Sequence, residues 1–192
     1  MTLPSVVPAA QSPSAATPAS EADIVRAAAA GDARAFEILV HQHSRRVFGY
    51  LAQLTRNAHD ADDLTQQTFI KAHRHLASFD CERPLINWLL TIARRTALNH
   101  FRDSKPWEAA PDNLFSAEPS PACVLEQQER TANVWARARR ILGPREFEVM
   151  WLRFGEDLSI EETARIAGLT KIHVKVLIHR ARHRLSKGVE SP

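Results

Sequence analysis

Residues 60–76 read Asp60-Ala-Asp-Asp-Leu-Thr-Gln-Gln-Thr-Phe-Ile-Lys-Ala-His-Arg-His-Leu76. After a short loop, Phe79-Asp-Cys-Glu-Arg-Pro84, residues 87–102 read Asn87-Trp-Leu-Leu-Thr-Ile-Ala-Arg-Arg-Thr-Ala-Leu-Asn-His-Phe-Arg102. In the first stretch Leu64, Thr68, Ala72 and Leu76 recur every four residues with Phe69 alongside, the stripe of an amphipathic helix. Asp62, Asp63, Gln66, Gln67, Lys71 and Arg74 fall on its other faces. In the second, Leu85, Trp88, Leu89, Ile92 and Thr96 form the buried stripe, and Asn87, Thr91, Arg94, Arg95, Asn99 and Arg102 lie outside it. One helix offers acid to a basic partner. The next offers Arg, Asn and an aromatic to something anionic. That division suits a nucleic-acid binder that also docks on a protein, and it is not the layout of an active site.

Upstream, Gly31-Asp32 supplies a turn and an N-cap. Phe36, Leu39, Val40, His43, Val47, Tyr50, Leu51 and Leu54 then recur at spacings of three and four. Residues 1–20 are almost entirely Pro, Ala, Ser, Thr, Val and Gln, which predicts a disordered leader. Residues 104–123 carry Pro106, Pro111, Pro119 and Pro121 and little apolar pattern, which predicts a flexible linker dividing the chain. Beyond it, Leu125, Gln128, Trp135, Ala138 and Leu142 suggest a helix ended by Gly143. Pro144 starts another, with Phe147, Met150, Trp151 and Phe154 expected inward and Gly155 closing it. No segment alternates with period two, so the expectation is an all-α protein of two small helical domains. Their bounds are 21–103 and 124–188, joined by the linker 104–123.

The second domain has the spacing of a helix-turn-helix. Ser159-Ile-Glu-Glu162 is a capping box, Ala164 is small where two helices cross, Gly168 sits in the tight turn, and Thr170 caps the last helix. Leu169, Val174, Ile178, Ala181 and Leu185 give that helix its buried face. Net charge is only +3, but no acid interrupts the run from Lys171 to Lys187, the electrostatic footprint of nucleic-acid binding. Lys171, His173 and Lys175 are placed to meet base edges, and Arg180, Arg182 and Arg184 to meet phosphates.

The two cysteines, Cys81 and Cys123, lack a CxxC spacing and point to a reduced compartment without disulfide or zinc. No apolar run approaches the ~20 residues of a membrane span, and no signal peptide is recognisable. A cytoplasmic protein without membrane insertion is expected. His41/His43 and His73/His75 are i, i+2 pairs that diverge on a helix, and His179/His183 sit in a run of Arg that favours phosphate or solvent over metal. No phosphate-binding glycine loop or catalytic constellation is present, so the reading is a protein without enzymatic activity, cofactor or metal.

Taken together, Asp62-Asp-Leu-Thr-Gln-Gln-Thr-Phe-Ile-Lys-Ala72, Trp88-Leu-Leu-Thr-Ile-Ala-Arg94, Leu158-Ser-Ile-Glu-Glu-Thr-Ala-Arg-Ile-Ala-Gly-Leu169 and Val174-Lys-Val-Leu-Ile-His-Arg-Ala-Arg182 resemble the extracytoplasmic-function RNA polymerase sigma factors of bacteria. The resemblance covers both domains, roughly residues 22–103 and 125–188. It implies that Asp62, Asp63, Gln66 and Gln67 dock on the β′ clamp helices of core RNA polymerase. It implies that Asp80, Arg83, Asn87, Trp88, Arg94, Arg95 and Asn99 read and melt the −10 promoter DNA, holding a flipped base. The C-terminal domain would read the −35 element near the β flap, and an anti-sigma factor is an expected further partner. Three departures stand out: Gln67 where Glu is usual, Arg95 where Asn is common, and Lys175-Val176-Leu177 where a Lys-Ser-Arg-like run is typical. Val176 and Leu177 would meet thymine methyls, or would mark a sigma-like interaction protein that binds polymerase or a regulator without initiating transcription. An ordinary helix-turn-helix regulator is the remaining alternative, and the strand-separating face around Arg95 and Asn99 argues against it.

Overall fold

The structure is a computed structural model that describes residues 20–81, 83–103 and 134–189. The predicted leader apart from its last residue, the linker 104–123, and Leu125 and Gln128 lie outside the described residues. Those that are described form α-helices and short helical turns without strands.

Helix α1 (Glu21–Ala29) begins at a capping box in which Ser20 and Asp23 exchange hydrogen bonds. Helix α2 (Ala33–Thr55) is capped by the Asp32 carboxylate, which accepts from the backbone N–H groups of Arg34 and Ala35. Helix α3 (Ala58–His75) is capped in the same way by Asn57. Such caps are each worth about 1 kcal/mol. A 3-10 turn (Leu76–Ser78) and a loop lead to α4 (Leu85–Asp103). Helix α1, not singled out from the sequence, buries Val25 and Ala28.

The C-terminal half contains α5 (residues 134–141), α6 (Pro144–Met150) and a π-helical turn (Trp151–Gly155). Helices α7 (Ile160–Ala167) and α8 (Lys171–Val189) follow. Ser159 and Glu162 form the expected capping box, and Gly168 ends α7 at φ +63°, a left-handed conformation that a Cβ would strain. Thr170 Oγ1 accepts from His173 N at 3.2 Å and so caps α8. The π turn rotates the residues after Met150 out of α-helical register. Phe154, expected inward, is consequently 43% exposed, with the guanidinium groups of Arg153 and Arg182 each 5.3 Å from its ring centroid.

The two halves pack against each other rather than standing apart. One cluster of buried apolar residues runs from Val25, Leu39, Leu51, Leu64, Leu89 and Leu90 through to Val149, Leu152, Leu158, Ile166, Val174 and Leu177. Helix α7 lies against α4. A smaller cluster of Ala138, Leu142, Phe147, Met150 and Ala181 holds α5, α6 and α8 together, with Trp135 edge-on to Phe147 and tilted against Trp151. A composition-based reading of the linker carried no information on this contact, whose residues come from helices on either side of it.

Candidate polymerase-docking and DNA-binding surfaces

Three surfaces carry the residues that the sequence singles out. On α3, burial of Ala61, Leu64, Thr65, Thr68, Phe69 and Ala72 leaves Asp62, Asp63, Gln66 and Gln67 in solvent. Gln66 Nε2 donates to Asp62 Oδ2 at 3.2 Å, and His59 lies 3.3 Å from Asp63. These are weak surface contacts that a partner can displace. At the far end of the same helix, Phe36, Phe69, Ile70, His73 and Arg74 line a shallow open groove.

The second surface belongs to α4 and the loop before it. Asp80 and Arg83 pair at 3.1 Å at the exposed tip. Trp88 is half-buried, its ring centroid 4.9 Å from that of Phe79. Arg95 and Asn99 are exposed, one turn apart on the same face. Asn87 and Arg94 are not where the periodicity put them. Both are buried, at 8% and 9% exposure, beneath the C-terminal half. Arg94 Nε donates to Glu148 Oε1 at 2.6 Å, and the Tyr50 hydroxyl donates to the same oxygen at 3.0 Å. Burial, with the Glu148 carboxylate close by, pushes the Tyr50 hydroxyl well above its ordinary pKa and keeps it a donor. Asn87 Nδ2 donates to Glu162 Oε1 at 2.6 Å. The α7 C-cap closes over Arg94, since a Cβ on Gly168 would sit 3.5 Å from Arg94 Nη1. Two further contacts join the halves: Arg46 Nε donates to Glu156 Oε2 at 3.0 Å, and Arg139 Nη1 donates to the Gln53 carbonyl at 2.9 Å. Burial holds the Arg139 pKa down to about 10, with Arg56 adding repulsion. Helix α4 therefore has two polar faces, one in solvent and one covered.

The third surface is α8. Val174, Leu177 and Ala181 are buried, and Ile178 and Leu185 partly so. Leu177, expected at the groove, is 6% exposed. It lies between Val174 and Ala181 at helical spacing, so it belongs to the core stripe and not to the contact face. Val176 is 40% exposed, and Ile172, which the sequence reading passed over, is 75% exposed. His173, Lys175, Arg180 and Arg182 are exposed. Lys171 pairs with Glu161 at 2.7 Å, a contact that holds the Glu161 carboxyl below its ordinary pKa. Arg184 donates to Glu146 Oε2 at 2.9 Å, which ties that cation to α6. No His, Cys, Asp or Glu cluster able to hold a metal occurs among the described residues, and no described helix is long and apolar enough to cross a membrane.

Two family models match the chain: Sigma-70 region 2 over residues 39–106, and Sigma-70 region 4 over residues 140–187. The chain is 36% identical over 86% of its length to the ECF RNA polymerase sigma factor BldN of Streptomyces coelicolor, and spans 64% of that protein. It is 30% identical to RNA polymerase sigma factor YlaC of Bacillus subtilis, covering 80% of this chain and 91% of YlaC. It is also 30% identical to the ECF RNA polymerase sigma factor SigM of Mycobacterium tuberculosis, covering 88% and 84%. Among solved structures, CnrH in complex with the cytosolic domain of CnrY matches with a TM-score of 0.64 at 26% identity, covering 89% of this chain and 97% of that one. Residues 39–106 match one sigma module and residues 140–187, which include the helix-turn-helix, match the other, in that order along the chain. The chain belongs to the sigma-70 family and, within it, to the extracytoplasmic-function RNA polymerase sigma factors.

Proposed function

We propose that this chain binds core RNA polymerase through the exposed acidic and amide face of α3, and directs it to promoters. Opening of the −10 region falls to α4 and the loop before it, and reading of the −35 element to α8. The observation that carries this is the segregation of charge. Asp62 and Asp63 stand in solvent on α3, the Arg95 and Asn99 face lies on α4, and every charged residue from Lys171 to Lys187 on α8 is basic. An acidic face suits the basic groove of a protein partner, and cationic faces suit phosphate. Such work is done in the cytoplasm, where the polymerase is. The sigma factor RpoE of Bartonella quintana is solved with the anti-sigma factor NepR, and an anti-sigma factor is the further partner proposed here.

The packed arrangement of the halves is then a closed form. Glu148 and Glu162 occupy Arg94 and Asn87, so these two cannot touch a promoter strand until the C-terminal half moves away. Polymerase binding would stabilise the open form by engaging the two halves at separate places. Reconstituted run-off transcription tests the proposal, using core polymerase, this chain and a pool of genomic fragments. Discrete transcripts that require the chain support it. Co-purification with polymerase without any transcript would favour the interaction-protein reading, to which the apolar Val176 lends itself.

A further inference from the structure

On α8 the buried residues Val174, Leu177, Ile178, Ala181 and Leu185 fix which side of the helix faces the core. At 3.6 residues per turn, the stripe directly opposite is Ile172, Val176, His179 and His183. All four are exposed, Ile172 at 75% and Val176 at 40%. Cations border this stripe on both sides. Lys171, Lys175 and Arg182 lie along one edge, and Arg180 and Lys187 along the other, with the His173 imidazole beside them. The nearby acid Glu161 is already engaged by Lys171. A helix whose leading stripe is apolar over its first turns, at Ile172 and Val176, with Lys and Arg along each edge matches the major groove, which admits a helix between two phosphate strands. A protein surface would need a matching pair of acidic rims around an apolar furrow.

Resting on the promoter-reading role of α8, we infer that Ile172 and Val176 are specificity-determining residues that read the 5-methyl groups of thymines in the upstream promoter element. The thymine methyl is the apolar group on the major-groove edges of the four base pairs. Ile172 and Val176 have neither donor nor acceptor, so they cannot read any other feature of those edges. They lie one turn apart on one face and therefore address neighbouring base pairs, while the flanking cations hold phosphates and set the depth of the helix. Leu177 takes no part, because it is buried.

The test uses the full chain with core polymerase on a promoter pool randomised only in the upstream element. That element is made synthetically with either thymine or uracil and ligated to a fixed, thymine-bearing downstream duplex. Uracil keeps every hydrogen-bonding group of thymine and removes the methyl. Each upstream variant is linked to a barcode in the transcribed region, and in the thymine pool the barcodes recovered from transcripts should report thymine enriched at one or more upstream positions. Uracil should lower that preference about three- to fivefold for each methyl contact, the value of one buried carbon. The Ile172→Ala, Val176→Ala double variant should lose the thymine preference and respond alike to the thymine and uracil pools in whatever transcription remains. Equal enrichment of thymine and uracil would overturn the inference and leave the promoter-reading role of α8 standing. Initiation with no base selected at any upstream position in either pool would overturn both.

Discussion

The guanidinium of Arg94 and the carboxylate of Glu148, 54 residues apart in sequence, meet at 2.6 Å with their side chains 10% and 6% exposed. Tyr50 completes the cluster from a third helix. A buried pair of this kind adds little net stability, but removing one partner strands the other at a cost of about 3–5 kcal/mol. Here that cost has an outlet, because separating the halves rehydrates Arg94. Glu148→Ala should therefore open the chain before it unfolds it. Small-angle X-ray scattering should show a larger radius of gyration with unchanged helical circular dichroism. An unchanged radius would mean that Glu148 does not hold the halves together.

Reversing the charges with Asp62→Lys and Asp63→Lys should weaken binding to core polymerase about tenfold or more at low ionic strength. The deficit should shrink as salt screens it. Both positions are exposed on α3, so helicity and melting temperature should stay close to the parent values. Fluorescence anisotropy against core polymerase checks this. Unaltered affinity would place the docking surface elsewhere.

Arg95→Ala combined with Asn99→Ala should impair transcription from duplex promoters and spare it on a template with a pre-melted −10 bubble. The two side chains share the solvent face of α4 beyond the Asp80–Arg83 loop. They are the part of the proposed strand-separating surface that the closed form leaves accessible. Equal loss on both templates would assign them to initial duplex binding.

Acid should weaken the α7 end of the contact between the halves. The side-chain and backbone hydrogen bonds from Ser159 hold the Glu162 carboxyl below its ordinary value of 4.5, and Asn87 adds to the effect. A carboxyl depressed in the folded chain contributes stability that is present above its unfolded pKa and lost as pH falls through the folded one. Thermal melts between about pH 6 and about pH 3 should therefore fall more steeply for the parent than for Glu162→Gln. Parallel curves would show that Glu162 contributes nothing to the pH dependence.

The features legible in the sequence are the local ones. Asp32, Ser159 and Thr170 cap the helices they were expected to cap, and Gly168 takes its left-handed turn, because each needs only residues a few positions away. The covered face of α4 was not legible. Arg94 and Asn87 are polar residues outside the apolar stripe, and only the carboxylates of Glu148 and Glu162, more than fifty positions downstream, make their burial tolerable. Leu177 belongs to the core stripe, as its spacing from Val174 and Ala181 marks it, and not to the groove-facing side where the family comparison points. Phe154 faces solvent because the π turn shifts it out of helical register, and a π turn leaves no trace in periodicity.

On the proposed function, the chain has to open and free the covered α4 face before it can initiate transcription. Arg46 and Glu156 face each other across the two halves at 2.9 Å and lie outside all three proposed binding surfaces. A chain carrying Arg46→Cys and Glu156→Cys, with Cys81→Ser and Cys123→Ser, can be bridged there by a short bis-maleimide containing a reducible bond. The measurement is run-off transcription by core polymerase with the bridged chain, before and after reduction. Little transcript while the bridge is intact, with recovery to the unbridged level on reduction, is the predicted result. Full transcription from the bridged chain would contradict it.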